Sequence, residues 1–279
     1  TFSAWVKRAT TSETNVIFST GTGGERDMLL FESGGRLQFS RYNNGYNYQL
    51  TTNRLFRDTN SFYHITAVLD TTQATDTNRL KIYINGVQET SFSTASYPSQ
   101  NYNTNYNQNT FTQHVGADSD GTGDYNGIMS HVNYIDGTAY DASAFGETDS
   151  TTGEWKIKTS PSVTYGTNGF WILKDGNTIT DSSPNSNNFA VASGTLTKTE
   201  DNPSNVFATF SPLIKATTTF SNGNTTGQTQ NSNNYLAGMS TLSMPKGTGI
   251  YYCEMKLIAE SFSGESCIGV ACEEAFTLR

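Results

Sequence analysis

The sequence predicts an all-β protein built as a sandwich of two sheets. The clearest observation is the stretch LKIYINGVQET, in which Leu80, Ile82 and Ile84 alternate with more polar residues, as in a strand with one buried face. Asn85-Gly86 follows at once, and Asn-Gly between two strand-like runs indicates a tight hairpin because both turn residues adopt positive φ. Further short alternating runs and the near absence of helical periodicity point to the same class.

Short strand candidates follow one another through the first half of the chain. Glycine-rich turn signals separate the first of them, at Gly21–Gly24, Gly34-Gly35 and Asn43–Gly45. Gly137–Gly146 is predicted to hold at most one helical turn. The candidates are Thr1–Lys7, Val16–Ser19, Met28–Glu32, Leu37–Tyr42, Tyr46–Thr51, Phe62–Asp70, Phe111–Gly116 and Gly127–Asp136.

Two loops interrupt this rhythm. Ser93–Thr110 is a long polar loop that carries three tyrosines among Asn and Gln, and loops of this length in compact domains usually have a function or are mobile. Ala117–Asn126 is a short, acidic and glycine-rich loop. We therefore take both loops as candidate binding segments.

The amino-acid composition changes at Thr148, after which the chain is rich in Ser, Thr, Asn and Gly. The predicted parts are a jelly-roll domain at 1–147, a connector that packs in places at 148–205, and a partial second β-sandwich at 206–279. In the last part, Phe220–Asn224 indicates a turn, and Ile250–Ile258 and Cys267–Ala271 indicate strands. Because these elements are too few to close a sandwich, we expect a longer polypeptide.

Composition and charge exclude several classes of protein. Of the 279 residues, 34% are hydrophobic and 15% are charged, and the formal charge is −8. An acidic chain lacks the basic footprint for nucleic-acid binding or for adhesion to anionic membranes, and no apolar run is as long as a membrane span. The chain has three cysteines, Cys253, Cys267 and Cys272, which is an odd number and has no fourth zinc ligand nearby in the sequence. We therefore predict that they are small, buried apolar side chains.

Several segments resemble the laminin-G-like, concanavalin-A-like jelly rolls. SAWVK near the start, FYHITAVLD, YINGV and the GxxxxVNYIDG pattern carry this resemblance. A more specific one begins near Tyr134: NYIDGTAYDASAFGETDSTTGEWKIK, YGTNGFWI, NPSNVFATFSPL and the segment Asp181–Phe189 are similar to a recurring string in structural proteins of marine bacteriophages. In those proteins a jelly roll precedes a SPRY-like β-sandwich, and GIYYCEMKL and CIGVA resemble SPRY-like strands. The resemblance implies a virion surface protein that contacts other virion proteins and forms homo-oligomers.

Catalysis is not predicted. Glycoside hydrolases need two carboxylates beside the scissile bond, and on a strand these share a face when they are spaced by two. Glu147-Thr148-Asp149 has this spacing but lies at the start of the predicted connector. His64, His114 and His131 have no flanking motif, and we interpret each as an ordinary sheet residue.

Calcium binding is one hypothesis for the acidic loop. Asp118, Asp120 and Asp124 surround two glycines, and such a loop could supply several of the six to eight oxygens that calcium prefers. The alternative is a solvated turn in which Asp and Gly provide turn geometry.

Sugar recognition is a second hypothesis, because aromatic rings stack on pyranose faces and tyrosine combines an apolar body with a polar tip. The alternative is that these rings contact a sister subunit or the virion surface. The candidate glycan-binding residues are Tyr42, Tyr46, Tyr48, Tyr97, Tyr102 and Tyr106.

The predicted function is that of a non-enzymatic bacteriophage structural protein, a tail fibre or a capsid-attached fibre, that binds host-surface glycans. A purely structural capsid-decoration or fibre-shaft protein is the first alternative, and an extracellular bacterial carbohydrate-binding module is the second. Calcium is the one cofactor that the sequence suggests.

Overall fold

The computed structural model describes residues 1–106, 108, 110–215, 218–229, 238–244, 247, 249–258 and 269. Within that part of the chain, the helical elements are two 3₁₀ turns, Asp76–Asn78 and Ala142–Ala144, and neither is long and apolar enough to cross a membrane. The strands are β1 (Phe2–Arg8), β2 (Asn15–Thr22), β3 (Glu25–Phe31), β4 (Arg36–Asn43), β5 (Tyr46–Leu55), β6 (Tyr63–Leu69), β7 (Leu80–Ile84), β8 (Val87–Gln88), β9 (Phe92–Ser96), β10 (Gln113–Val115), β11 (Gly127–Tyr134), β12 (Gly146–Thr148), β13 (Trp155–Ile157), β14 (Phe170–Ile172), β15 (Phe210–Lys215), β16 (Thr218–Ser221), β17 (Thr226–Thr229) and β18 (Gly238–Ser240).

Two six-stranded antiparallel sheets form a sandwich, which confirms the predicted all-β fold class. The back sheet has the order β14-β11-β1-β6-β7-β8, and the front sheet has the order β10-β2-β3-β4-β5-β9. Each of the eight strand candidates of the first 136 residues overlaps one of these strands. The alternation of apolar residues therefore predicted the strands correctly, because one face of each sheet is buried against the other.

The core lies between the inner faces of the two sheets. The back sheet contributes Phe2, Ile65 and Ile82, and the front sheet contributes Phe18 and Leu50, all of which are buried. Full burial of each such side chain stabilises the fold by about 1.5–3 kcal/mol. This core fixes the distance between the sheets and thereby the gap at their edges.

The hairpin between β7 and β8 has the predicted turn. Asn85 and Gly86 adopt φ angles of 48° and 82°, as both turn residues of a type I′ turn require. A Cβ atom at Gly86 would also lie 2.5 Å from the ring of Trp155. Glycine is therefore required at position 86 for two reasons, the positive φ angle and the close approach of the Trp155 ring.

The sandwich extends beyond the predicted boundary at residue 147. Strand β14, which lies within the predicted connector, pairs with β11 and forms the edge of the back sheet. Trp155 and Ile157 pack against a cluster of Trp5, Phe62 and Ile128. Sequence periodicity missed β14 because it has only three residues, all of them apolar. The connector is thus partly a strand of the sandwich.

The part after residue 205 contains two small antiparallel pairs, β15 with β18 and β16 with β17. The turn predicted at Phe220–Asn224 links the last pair, whereas the strand predicted at Ile250–Ile258 is not formed, and its residues are exposed. A strand requires a neighbour for its backbone hydrogen bonds, and no described residue supplies one here. Cys253 is exposed rather than buried. Cys267, Cys272 and the strand predicted around them lie outside the described residues.

Candidate functional site

The tyrosine loop, residues 97–106, folds over one end of the front sheet's inner face. It follows β9, an edge strand paired with β5 whose last four residues belong to the predicted loop Ser93–Thr110. Asn105 is buried in this loop, and its backbone N–H donates to Oδ2 of Asp27 at 2.8 Å. The loop is therefore attached to the sheet by a charged side chain.

Asp27 belongs to a row of three side chains across β3, β4 and β5. The register pairs Asp27 with Arg41 and Arg41 with Tyr48, which places the three side chains on one face. The Tyr48 hydroxyl donates to Asp27 Oδ1 at 2.6 Å, and Arg41 Nη1 donates to Oδ2 at 2.7 Å. Arg41 also donates to the Glu25 carboxylate. We call Asp27, Arg41 and Tyr48 the buried polar row.

Each side chain of the buried polar row has a hydrogen-bond partner within the protein. Burial raises the pKa of Asp27, and the hydrogen bonds from Tyr48, Arg41 and Asn105 oppose that rise. Burial also raises the pKa of Tyr48 well above its ordinary value, so the hydroxyl stays protonated and can donate. Because all three groups are buried and partnered, the row supports the loop and does not face a ligand.

The predicted glycan-contact role therefore does not extend to Tyr48. Its side chain is 0% exposed, so neither ring face is open to a sugar. Tyr102 packs on top of it, with its ring centroid 6.3 Å from that of Tyr48 and 5.6 Å from the Arg41 guanidinium carbon. Tyr106 inserts further between the sheets and stacks on Phe18 at 5.2 Å.

A cleft of about 490 Å³ opens beside the tyrosine loop. Tyr102 and Tyr106 line it from the loop, and Tyr134 lines it from the end of β11. Its polar lining includes Asp70 and Asp136, together with Asn103, Thr71, Thr72, Thr104 and Thr138. The cleft thus combines aromatic rings with hydroxyl, amide and carboxylate groups.

The strand order brings the two carboxylates of the cleft to the same edge. β6 and β11 are each antiparallel to β1, on its two sides, so they run parallel to each other. Asp70 follows the end of β6 and Asp136 follows the end of β11, two strand spacings or about 10 Å apart. The start of β1, with Thr1 and Phe2, lies between them and also lines the cleft.

Short hydrogen bonds hold both carboxylates in place. Asp70 accepts from Thr72 Oγ1 at 2.6 Å and from Gln73 Nε2 at 2.6 Å, and these bonds lower its pKa. Asp136 Oδ2 accepts from the side-chain amide of Asn168 at 2.9 Å. Asp70 is therefore an ionised, oriented acceptor at neutral pH.

The other predicted tyrosines lie outside the cleft. Tyr42 and Tyr46 face each other across the β4–β5 hairpin in an edge-to-face pair at 5.5 Å, and both are exposed. Tyr97 packs partly against the core, where burial raises its pKa. Of the six predicted residues, the structure brings Tyr102 and Tyr106 together at one opening.

The acidic loop does not fit a calcium site. Arg26 Nη1 donates to Asp118 at 2.6 Å and to Asp120 at 3.1 Å, so a guanidinium already neutralises both carboxylates. The other oxygen of Asp118 accepts from Ser119, and that of Asp120 accepts from Thr122. No described contact joins Asp124 to this pair of carboxylates. Across the described ranges, no group of three His, Cys, Asp or Glu side chains could hold a metal ion.

Ser3 and His64 approach each other as a nucleophile and a base would, with Oγ 2.8 Å from Nε2. Trp155 Nε1 donates to His64 Nδ1 at 3.0 Å, so the proton of the neutral ring lies on Nε2, and Nε2 donates to Ser3. Burial lowers the pKa of His64 to about 3. A ring that donates to the serine cannot accept its proton, so the pair is structural.

One carboxylate pair escaped the sequence analysis. Glu25-Arg26-Asp27 is a Glu-x-Asp triplet on β3 with both side chains on the inner face, and Arg41 contacts both carboxylates. The spacing was visible in the sequence. Asp27 lies beneath the tyrosine loop and holds it, whereas the Glu25 carboxylate is 34% exposed and pairs with Arg41. Asp70 and Asp136 gave no sequence signal, since only the strand order brings them together.

Comparison with protein families identifies a superfamily whose model matches this chain. The family model described as the concanavalin A-like lectin/glucanases superfamily matches residues 1–142, which is just over half of the chain. Comparisons with curated proteins and with solved structures give no match. The matched residues include β1 to β11, which are all the sandwich strands except β14, and they include the whole lining of the cleft. The chain belongs to the concanavalin A-like lectin/glucanase superfamily.

Proposed function

We propose that this chain is a non-enzymatic carbohydrate-binding protein whose glycan site is the cleft beside the tyrosine loop. The observation that carries the proposal is the meeting of aromatic rings and oriented carboxylates at one opening. Membership of a superfamily of lectins and glucanases is consistent with a carbohydrate-binding role. The proposal places no catalytic residue in the cleft.

The chemistry of the cleft suits a pyranose ring. The Tyr102 ring offers an apolar face to the C–H groups of a sugar, while carboxylate and amide oxygens accept hydrogen bonds from sugar hydroxyls. Asp70 is already oriented by Thr72 and Gln73, so little entropy is lost when it binds. The rigid attachment of the loop to Asp27 preorganises the aromatic side in the same way.

We further propose that the protein is displayed on a bacteriophage particle, as a tail fibre or a capsid-attached fibre, and binds glycans of the host surface. The support is the resemblance of the segment from Tyr134 onward to structural proteins of marine phages. In this setting the partners are other virion proteins and further copies of the chain. The site is then at the virion surface.

A glycan array with the purified chain tests the proposal. Tyr102→Ala should abolish binding or reduce it at least about fivefold, because stacking on a ring contributes about 1 kcal/mol or more. Tyr42→Ala is the matched control, since it removes a tyrosine that lies outside the cleft. Melting curves establish that both variants are folded. Equal loss in the two variants, or no glycan signal from the parent chain, would refute the cleft as a glycan site.

A purely structural role is the second candidate, and the exposed apolar side chains favour it. Tyr42 and Tyr46 are exposed at one hairpin tip, and Ile250, Tyr252 and Ile258 are exposed in the last described segment. Such side chains are typical of surfaces that contact another protein. Imaging of the assembled particle separates the candidates: a cleft buried against neighbouring subunits supports the structural role, and an outward-facing cleft supports glycan binding.

A further inference from the structure

The described lining of the cleft carries negative charge. Two acidic side chains, Asp70 and Asp136, line it, and none of its described lining residues is Lys, Arg or His. The positive charge of Lys81, on β7, contributes to lowering the pKa of Asp70, but Lys81 does not line the cleft. Thr1 lines it as well, and its nitrogen donates to the Ile135 carbonyl at 2.9 Å.

The nearest strong cation to the aromatic wall is already neutralised. The Arg41 guanidinium packs against the Tyr102 ring, and it pairs with both Asp27 and Glu25. Arg41 is 4% exposed. An anionic ligand in the cleft would therefore meet two carboxylates, and no described Lys, Arg or His side chain of the lining would offset their charge.

One buried group of the cleft lacks a partner. The Tyr106 hydroxyl is buried, and nothing in the described part of the chain forms a hydrogen bond with it. A buried hydroxyl without a partner is costly. Since Tyr106 lines the cleft, a ligand hydroxyl that reaches the bottom could satisfy this group, and a hydroxyl can both donate and accept.

We infer that the cleft selects uncharged sugars and rejects anionic glycans. This inference rests on the proposed glycan-binding function and specifies its ligand class. Uncharged sugars supply several hydroxyl donors for Asp70 and Asp136 and an apolar face for Tyr102. A sulfate, a uronic acid or a sialic acid brings a negative charge within a few ångströms of the two aspartates, where like charges repel by enough to weaken binding about tenfold or more.

The test is a glycan array that carries neutral oligosaccharides together with their sialylated, sulfated and uronic-acid counterparts. We expect the unmodified chain to bind neutral members, and to bind their anionic counterparts at least tenfold more weakly. Asp70→Asn and Asp136→Asn should each reduce the difference in affinity between neutral and anionic glycans, because each substitution keeps the shape of the side chain and removes one negative charge. Glu13→Gln is the control for net charge: Glu13 is exposed and follows β1, which runs away from the cleft.

Salt provides a second measurement on the unmodified chain, in case an aspartate variant does not fold. Raising the ionic strength screens repulsion, so the affinity for an anionic oligosaccharide should rise while that for its neutral counterpart stays constant. Equal or preferred binding of anionic glycans would overturn the inference and leave the proposed function intact. The absence of binding to either class would overturn the proposed function itself.

Discussion

At the residue scale, His64 shows how a polar group becomes structural when it is fully enclosed. It stacks on Trp5 at 4.9 Å and forms hydrogen bonds to Ser3 and Trp155 through its two ring nitrogens. The ring cannot take a second proton without the loss of the bond from Trp155. Burial lowers the pKa of His64, and burial also lowers the pKa of His131, to about 4.

The two histidines predict acid lability. An unfolded histidine titrates near pH 6.5, whereas His64 and His131 stay neutral in the fold until their pKa values of about 3 and about 4. Between about pH 6.5 and these values the unfolded state therefore binds more protons, and the free energy of unfolding should decrease as the pH is lowered. The slope approaches about 1.4 kcal/mol per pH unit for each histidine. Urea unfolding at several pH values measures this slope.

His64→Gln provides the control for that slope. Glutamine can still form hydrogen bonds but does not titrate, so the variant should be less stable at neutral pH and should show a shallower pH dependence. An unchanged slope in His64→Gln would contradict the assignment of the slope to this residue.

Arg26 gives a second prediction at this scale. Because its guanidinium neutralises Asp118 and Asp120, calcium and a chelator should leave the melting temperature of the parent chain unchanged. In Arg26→Gln, the loss of the cation should destabilise the loop by about 1 kcal/mol or less at low salt, since the pairs are partly exposed. Calorimetry with calcium or EDTA measures both effects. A stabilisation of the parent chain by calcium would contradict this account of the loop.

At the element scale, the buried polar row makes the tyrosine loop depend on the front sheet. Tyr48→Phe removes the hydroxyl that donates to Asp27 and keeps the ring, so a buried carboxylate oxygen loses a hydrogen bond. We expect a loss of about 1–3 kcal/mol in the free energy of unfolding. Tyr46→Phe is the control, because it removes an exposed hydroxyl from the same strand and should change stability by less than about 0.5 kcal/mol. Chemical denaturation measures both, and equal effects would contradict the role of Tyr48.

The same strand shows what sequence can and cannot predict. The alternation in β5 located the strand, and strict alternation would place Tyr46 and Tyr48 on one face because both positions have the same parity. The register shifts between Arg41 and Tyr42, so that Tyr46 lies opposite Tyr42 while Tyr48 lies opposite Arg41. Such a bulge inserts a residue and redirects the side chains beyond it, and no local pattern reveals it. The strand was therefore predictable, and the exposure of its tyrosines was not.

The site was predictable only in its aromatic half. Tyr102 and Tyr106 stood out because tyrosines are conspicuous in a long polar loop. Asp70 and Asp136 are far apart in the sequence and meet only because β6 and β11 flank β1 in the back sheet. Sequence predicts the strands but not their order, so a site built from strand ends of one sheet edge stays hidden until the topology is known.

At the scale of the whole molecule, a buried ion pair joins the sandwich to the segment after it. Lys7 of β1 donates from Nζ to Asp201 Oδ2 at 2.7 Å, and their side chains are 2% and 0% exposed. The Phe207 backbone N–H donates to the second oxygen of Asp201 at 2.9 Å. These bonds attach the residues that precede β15 to the back sheet, 194 positions along the chain from Lys7.

Lys7→Ala should therefore loosen this attachment. It leaves the Asp201 carboxylate buried without its cation, which costs about 3–5 kcal/mol, whereas replacing both residues in Lys7→Met/Asp201→Leu should cost much less because no charge is then left unpaired. Lys156→Ala is the control, since its ion pairs with Glu147 and Asp149 are exposed and contribute little. Limited proteolysis with mass spectrometry should show faster cleavage near 199–209 in Lys7→Ala alone. Equal cleavage in the double variant would mean that side-chain volume, rather than the unpaired charge, governs the attachment.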